Sequence, residues 1–227
     1  MTSPPAQESP WRSRAVARSV DPAREAAEAR VQGFIDAALS LLAEADGRDL
    51  TVQRVVDRSG LSLRSFYVHF AGKHELLLAV FEEGIRATAD HLGQHVESAG
   101  TDPVARLRAF VTEYQRMCRG GLPRNADRPL PGRSMGTFAH QLLFDHPQEA
   151  AHAFVPLVSL LRMLLDDAAA AGEIRAGLDH DEFAGVILQS IMFNSFATTI
   201  TGAVTDDVAD RGDHLWEVFL YGLIGPR

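Results

Sequence analysis

The chain reads as an all-α protein of about nine helices, a three-helix head containing a helix-turn-helix followed by a longer helical body. Three observations carry this. Apolar residues recur at three- and four-residue spacing along most of the 227 residues. Helix-starting pairs such as Asp21-Pro22 and Asp102-Pro103 stand ahead of those stripes. Between Thr51 and Glu83, two short helical patterns flank a single glycine.

Residues 1–20 combine prolines with Arg12, Arg14 and Arg18 and little apolar content, so a disordered basic arm is expected. Such an arm is either an untethered tail or an extension that reaches a neighbouring DNA groove; the tail is the simpler reading. The head is expected over 21–80 and the body over 81–227.

Asp21 as N-cap and Pro22 at the first helical position start helix one, whose stripe is Val31, Phe34, Ile35, Ala38, Leu39 and Leu42. It should end near Gly47. Thr51 can cap a two-turn helix from Val52 to Arg58 with Val52, Val55 and Val56 on one face. Gly60 stands where a tight interhelical turn needs positive φ, which a residue without Cβ reaches freely. Ser62 caps the next helix, in which Phe66 and Phe70 share an inner face. Rotation of 100° per residue then turns Arg64 and Val68 outward, flanked by Ser65 and Tyr67. That outward chemistry suits base reading: arginine can grip guanine through two bonds, serine bonds several base edges, valine touches a thymine methyl and tyrosine reaches phosphate.

The order of these pieces, TVQRVVDRSGLSLRSFYVHFAGKHELLLAVFEE, with its Phe-Tyr-x-His-Phe run and a following lysine, resembles the DNA-binding signature of the TetR family of transcriptional regulators. The resemblance covers about Arg30 to Glu83 and is architectural beyond. It implies a homodimer with an N-terminal DNA-binding head and a variable C-terminal ligand-binding part. It also implies phosphate contacts from Thr51, Tyr67, His69 and Lys73, and base-edge contacts from Leu63, Arg64, Ser65 and Val68. Leu63 replaces the polar residue often found there, and helical phase turns it partly inward.

Helix four, about Lys73 to Glu97, begins apolar (Leu76, Leu77, Val80, Phe81) and turns polar, so its first half belongs to the head and its second half leads away. Lys73 is the only lysine, and an ammonium at the positive end of a helix invites an anion such as phosphate. His91 and His95 have a chelating i, i+4 spacing but no carboxylate implied nearby, so they read as two exposed histidines and no metal is expected.

Asp102-Pro103 opens helix five to about Arg119, followed by a glycine-, proline- and arginine-rich loop from Gly120 to Arg133 and a short helix from Ser134 to about Asp145. Helix seven, Gln148 to Ala171, stops at Gly172; helix eight, Asp181 to about Thr201, is apolar nearly all round; helix nine runs from about Asp206 to Leu223. A helix apolar on every side must be covered on every side, so helices eight and nine are expected to form a homodimer interface. Candidate lining for a small, largely apolar effector is Phe110, Tyr114, Met117, Phe144, Phe154, Met163, Gln189, Met192, Phe193 and Asn194.

The net charge of −8 is unevenly spread. From Arg48 to Lys73, five basic residues face two acidic ones, whereas Val96 to Arg227 holds eleven basic and seventeen acidic. A basic tip on an acidic body suits a partner of double-stranded DNA bound at one end. Cys118, the one cysteine, fits a reducing cytoplasm and reads as a small buried hydrophobe. No membrane span or signal peptide is legible, and a cytoplasmic location is expected. No nucleophile elbow, P-loop, dinucleotide fingerprint or HExxH is present, so no catalytic residue and no cofactor is expected. His140, His146 and His152 read as surface or capping residues.

The function expected from these features is a ligand-responsive regulator, a repressor that binds a palindromic operator as a dimer and is released by its effector. The alternative is a ligand-independent regulator or activator using the same helix-turn-helix. A DNA-coating architectural protein would have no use for so long an acidic body.

Overall fold

A computed structural model describes residues 10–44, 50–118, 142, 144–201 and 215–222. Seven helices are α1 (Pro10–Glu44), α2 (Val52–Ser59), α3 (Leu63–His69), α4 (Lys73–Ser98), α5 (Pro103–Cys118), α6 (Pro147–Ala170) and α7 (His180–Thr201). The helical residues 215–222 form α8, and no strand occurs among the described residues. The expected helices seven, eight and nine are thus α6, α7 and α8. The loop from Gly120 to Arg133 lies outside the described residues, as does most of the helix expected after it.

Three apolar clusters organise the chain. The head core joins Phe34, Ile35, Ala38 and Leu42 of α1 to Val55, Val56, Phe66, Phe70, Leu76 and Val80. The body core joins Leu92 and Val96 of α4 to Phe110 and Val111 of α5, Leu161 and Leu165 of α6, Ile187 and Ile191 of α7, and Trp216. Between them, Phe81 packs with Leu142, Ala150 and Ala153. One helix, α4, therefore enters all three clusters, which makes it the connecting rod expected from its apolar-to-polar gradient.

One expectation needs correction. Helix one does not begin at Asp21-Pro22 but at Pro10, and Pro22 is inside it, so residues 10–20 are helical rather than a disordered arm. A helical proline removes one backbone bond and crowds the preceding turn. Residues 1–9 lie outside the described residues. Within one chain α7 is not covered on every side. Ala184, Ile187, Leu188 and Ile191 are buried, whereas Val186 and Phe193 remain 48% and 47% exposed.

Candidate functional site

The turn between α2 and α3 is built by local chemistry. Thr51 is extended at φ −123°, ψ 154°, and its hydroxyl oxygen accepts from Arg54 N–H at 3.2 Å. Gly60 closes α2 at φ 67°, donating its N–H to the Val56 carbonyl. The Ser62 hydroxyl then accepts from Ser65 N–H at 3.1 Å to start α3. At seven residues α3 is too short to hold itself. Phe66 holds it, wholly buried against Phe34 of α1, with Phe70 following at 4% exposure.

Anchoring that face turns the rest outward. Arg64 is exposed, and Leu63, Tyr67 and Val68 are 43%, 58% and 71% exposed. Ser65 and His69 are half-buried at the margins of that face. Leu63, expected to turn partly inward, is less exposed than Tyr67 and Val68.

Thr51 and Lys73 are exposed at the starts of α2 and α4. Thr51 caps through an acceptor lone pair, so its O–H remains a donor for an anion. Glu75, in the first turn of α4, accepts from Ala71 N–H and supplies the carboxylate that this helix end favours. Arg58 points elsewhere: its guanidinium grips Glu44 through bonds of 2.9 and 2.8 Å and donates to the Ser40 hydroxyl at 2.7 Å. It ties α2 to the end of α1.

In the body the expected effector residues divide. Phe110 and Tyr114 are buried with ring centroids 6.0 Å apart, and Met117 packs beside them. Phe154 lies edge-on to Phe81 at 5.5 Å. Met192 is half-buried. Phe144, Met163 and Phe193 are 69%, 45% and 47% exposed, and Gln189 and Asn194 are exposed as well. The ten divide evenly between buried or half-buried and exposed positions. Periodicity identifies apolar residues but not which neighbour each one meets.

Sequence reading passed over other residues of the body. Gln115 is 3% exposed, and among the described residues its Oε1 is a buried acceptor without a hydrogen-bond partner. Glu113 is also buried; it accepts from Arg116 through both oxygens and pairs with His91 Nε2 at 2.6 Å. The Arg116 bonds, with help from His91 and against burial, lower its carboxyl to about 2. His91 is therefore not simply exposed, and its carboxylate comes from α5, a neighbour no local spacing reveals. Burial pushes the Cys118 thiol up to about 12, despite the Tyr114 hydroxyl beside it, so it stays protonated.

Residues 34–80 match the family model described as bacterial regulatory proteins, tetR family. No curated protein sequence matches the chain. Its fold is similar to that of FadR from Bacillus subtilis, a transcriptional regulator solved in complex with stearoyl-CoA. The identity is 17%, with a TM-score of 0.65 over 85% of this chain and 98% of that one. RolR in complex with resorcinol is similar at 15% identity and a TM-score of 0.62, covering 88% and 90%. A Rhodococcus protein of unknown function gives a TM-score of 0.68 at 19% identity, covering 86% and 96%. Among the described residues no helix is long and apolar enough to cross a membrane.

Proposed function

From the premise that the head of this chain is that of the tetR family of bacterial regulatory proteins, we propose that it represses transcription. In this reading it binds a palindromic operator as a homodimer and releases it on binding a small, largely apolar effector. The observation that carries the reading is the outward face of α3, where Arg64, Tyr67 and Val68 project from a helix pinned by Phe66. Leu63, Arg64, Ser65 and Val68 would meet base edges, and Thr51, Tyr67, His69 and Lys73 would meet phosphates. A seven-residue helix reads only a half-site, so two heads about 34 to 36 Å apart, or a multiple of a helical turn, are needed.

The second copy would cover the outer faces of α7 and α8, where Val186, Phe193, Val218 and Tyr221 are exposed. Those faces carry exposed apolar surface, and a two-fold axis pairs each patch with itself. A stable monomer in light scattering at micromolar concentration overturns this interface.

The effector would bind beside α5, where Gln115 holds a buried acceptor in need of a donor near Phe110, Tyr114 and Met117. The ligands of FadR and RolR, stearoyl-CoA and resorcinol, carry a long hydrocarbon chain and an aromatic ring respectively, groups that suit that setting. To lower operator affinity, the effector must bind more tightly to a state whose heads are misplaced, and α4 is the element that reaches both cores.

Selection of duplexes from a random pool tests the DNA reading. Enrichment of two-fold symmetric sites is expected; no enrichment over scrambled sequence overturns it. Acyl-CoAs and phenols are then screened by thermal shift, and compounds that bind should weaken the selected duplex. If binders leave duplex affinity unchanged, the coupling fails.

A further inference from the structure

His74 lies in the first turn of α4, and His146 and Glu149 lie at the start of α6. His74 Nε2 is 2.9 Å from Glu149 Oε2, and His146 Nδ1 is 3.5 Å from Glu149 Oε1. The two imidazole centroids are 4.4 Å apart, with the ring planes tilted by 37°. One ligand atom from each residue falls within 4.8 Å of the others. We propose that these three side chains bind a divalent transition-metal ion, Zn2+ or a close relative, and thereby clamp the first turn of α4 to the first turn of α6.

The donor set argues for this class of ion. Two imidazole nitrogens and a carboxylate are borderline ligands that suit Zn2+ and its neighbours, whereas Mg2+ and Ca2+ prefer oxygen alone. Bonds of roughly 2.0 to 2.1 Å in a tetrahedral array put neighbouring ligand atoms roughly 3.3 Å apart. The observed 2.9 and 3.5 Å, made to the two different oxygens of Glu149, lie near that spacing. With all three ligand atoms within 4.8 Å of one another, binding draws them together by up to about 1.5 Å through rotamer changes. The side chains are 47%, 45% and 41% exposed, which leaves an open side for water as fourth ligand.

Two helix N-termini lie at the site, and their positive ends oppose a cation. The charge of Glu149 and the bonds from three ligands act against that opposition. An ordinary histidine–glutamate ion pair explains one imidazole at the carboxylate. It does not require two imidazoles from different helices to converge there. The clamp spans the joint between head and body, beside the Phe81 cluster, so occupancy would restrict head movement.

Titration calorimetry of the metal-free, full-length protein with ZnCl2 tests the site. The expected result is one Zn2+ per chain with micromolar or tighter affinity and a rise in melting temperature. His74→Ala, His146→Ala and Glu149→Gln should each weaken that binding at least tenfold. His152→Ala and the double variant His91→Ala/His95→Ala should not. Circular dichroism confirms that each variant is folded, and all three positions are exposed enough for the fold to tolerate the changes. Zinc binding unchanged in the three variants, abolished by the His91/His95 pair, or absent at 100-fold excess of metal overturns the proposal.

Discussion

Phe34 of α1 meets Phe66 of α3 edge to face, with ring centroids 5.4 Å apart and planes at 85°, and both rings are 0% exposed. This contact sets the roll of α3 about its own axis and so decides which side chains face outward. Edge-to-face packing adds about 0.5 to 1.5 kcal/mol to the gain from burial. Truncation should therefore be felt twice, in stability and in DNA affinity. Phe66→Ala is expected to cost about 3 to 5 kcal/mol in denaturant melts. Phe66→Leu, which keeps most of the volume, should cost less and retain partial DNA binding. Equal DNA affinity in Phe66→Ala and the parent protein would contradict the anchoring role.

Gly60 tests the turn without disturbing the core. Its φ of 67° is left-handed, and an added Cβ meets nothing within 4 Å. The penalty for substitution is thus backbone strain alone. Gly60→Ala should lose about 1 to 2 kcal/mol, and Gly60→Asn less, because asparagine tolerates this region. Chemical denaturation of both variants checks the order; a neutral Gly60→Ala would mean that the turn adapts.

Glu113 predicts an acid-sensitive joint between α4 and α5. Its carboxyl is lowered to about 2, chiefly by Arg116, and its side chain is 7% exposed, so solvent screening is slight. A folded value below the unfolded one means stabilisation that is complete above pH about 4.5 and lost as pH falls toward about 2. Glu113→Gln should lower stability at pH 7 by a few kcal/mol, since each tenfold change in acidity between the folded and unfolded chain is worth about 1.4 kcal/mol. The gap to the parent protein should close by pH about 2 to 3. Melting curves over that range that stay parallel would remove Glu113 as the cause.

The head was legible because its signals are local. Thr51, Gly60 and Ser62 act on backbone atoms within four residues, and the Phe66 and Phe70 pair is one helical turn long. Elsewhere a local rule misled. Aspartate-proline is a good helix start, yet α1 runs through Pro22. In the body, Met163 and Phe193 have the apolar character of lining residues and stand outside, while Gln115, polar and silent in sequence, is buried. The convergence of His74 with His146 and Glu149 depends on two helices meeting, which no spacing along the chain encodes.

Arg64 and Lys73 separate base reading from charge. Both are exposed, Arg64 on the outward face of α3 and Lys73 at the start of α4. A guanidinium fork on the face opposite Phe66 can bond O6 and N7 of one guanine, so Arg64→Ala should cost about 1 to 3 kcal/mol per half-site and relax preference at one base position. An ammonium beyond the reading helix sees phosphate. Lys73→Ala should weaken binding almost equally on the selected duplex and a scrambled one, and lower the slope of log K against log salt by about one per contact, since one fewer counterion is released. In a dimer each effect counts twice. Affinities for both duplexes at several salt concentrations distinguish the two roles. Uniform weakening by Arg64→Ala, or altered base preference in Lys73→Ala, would show that another face of the head reads the sequence.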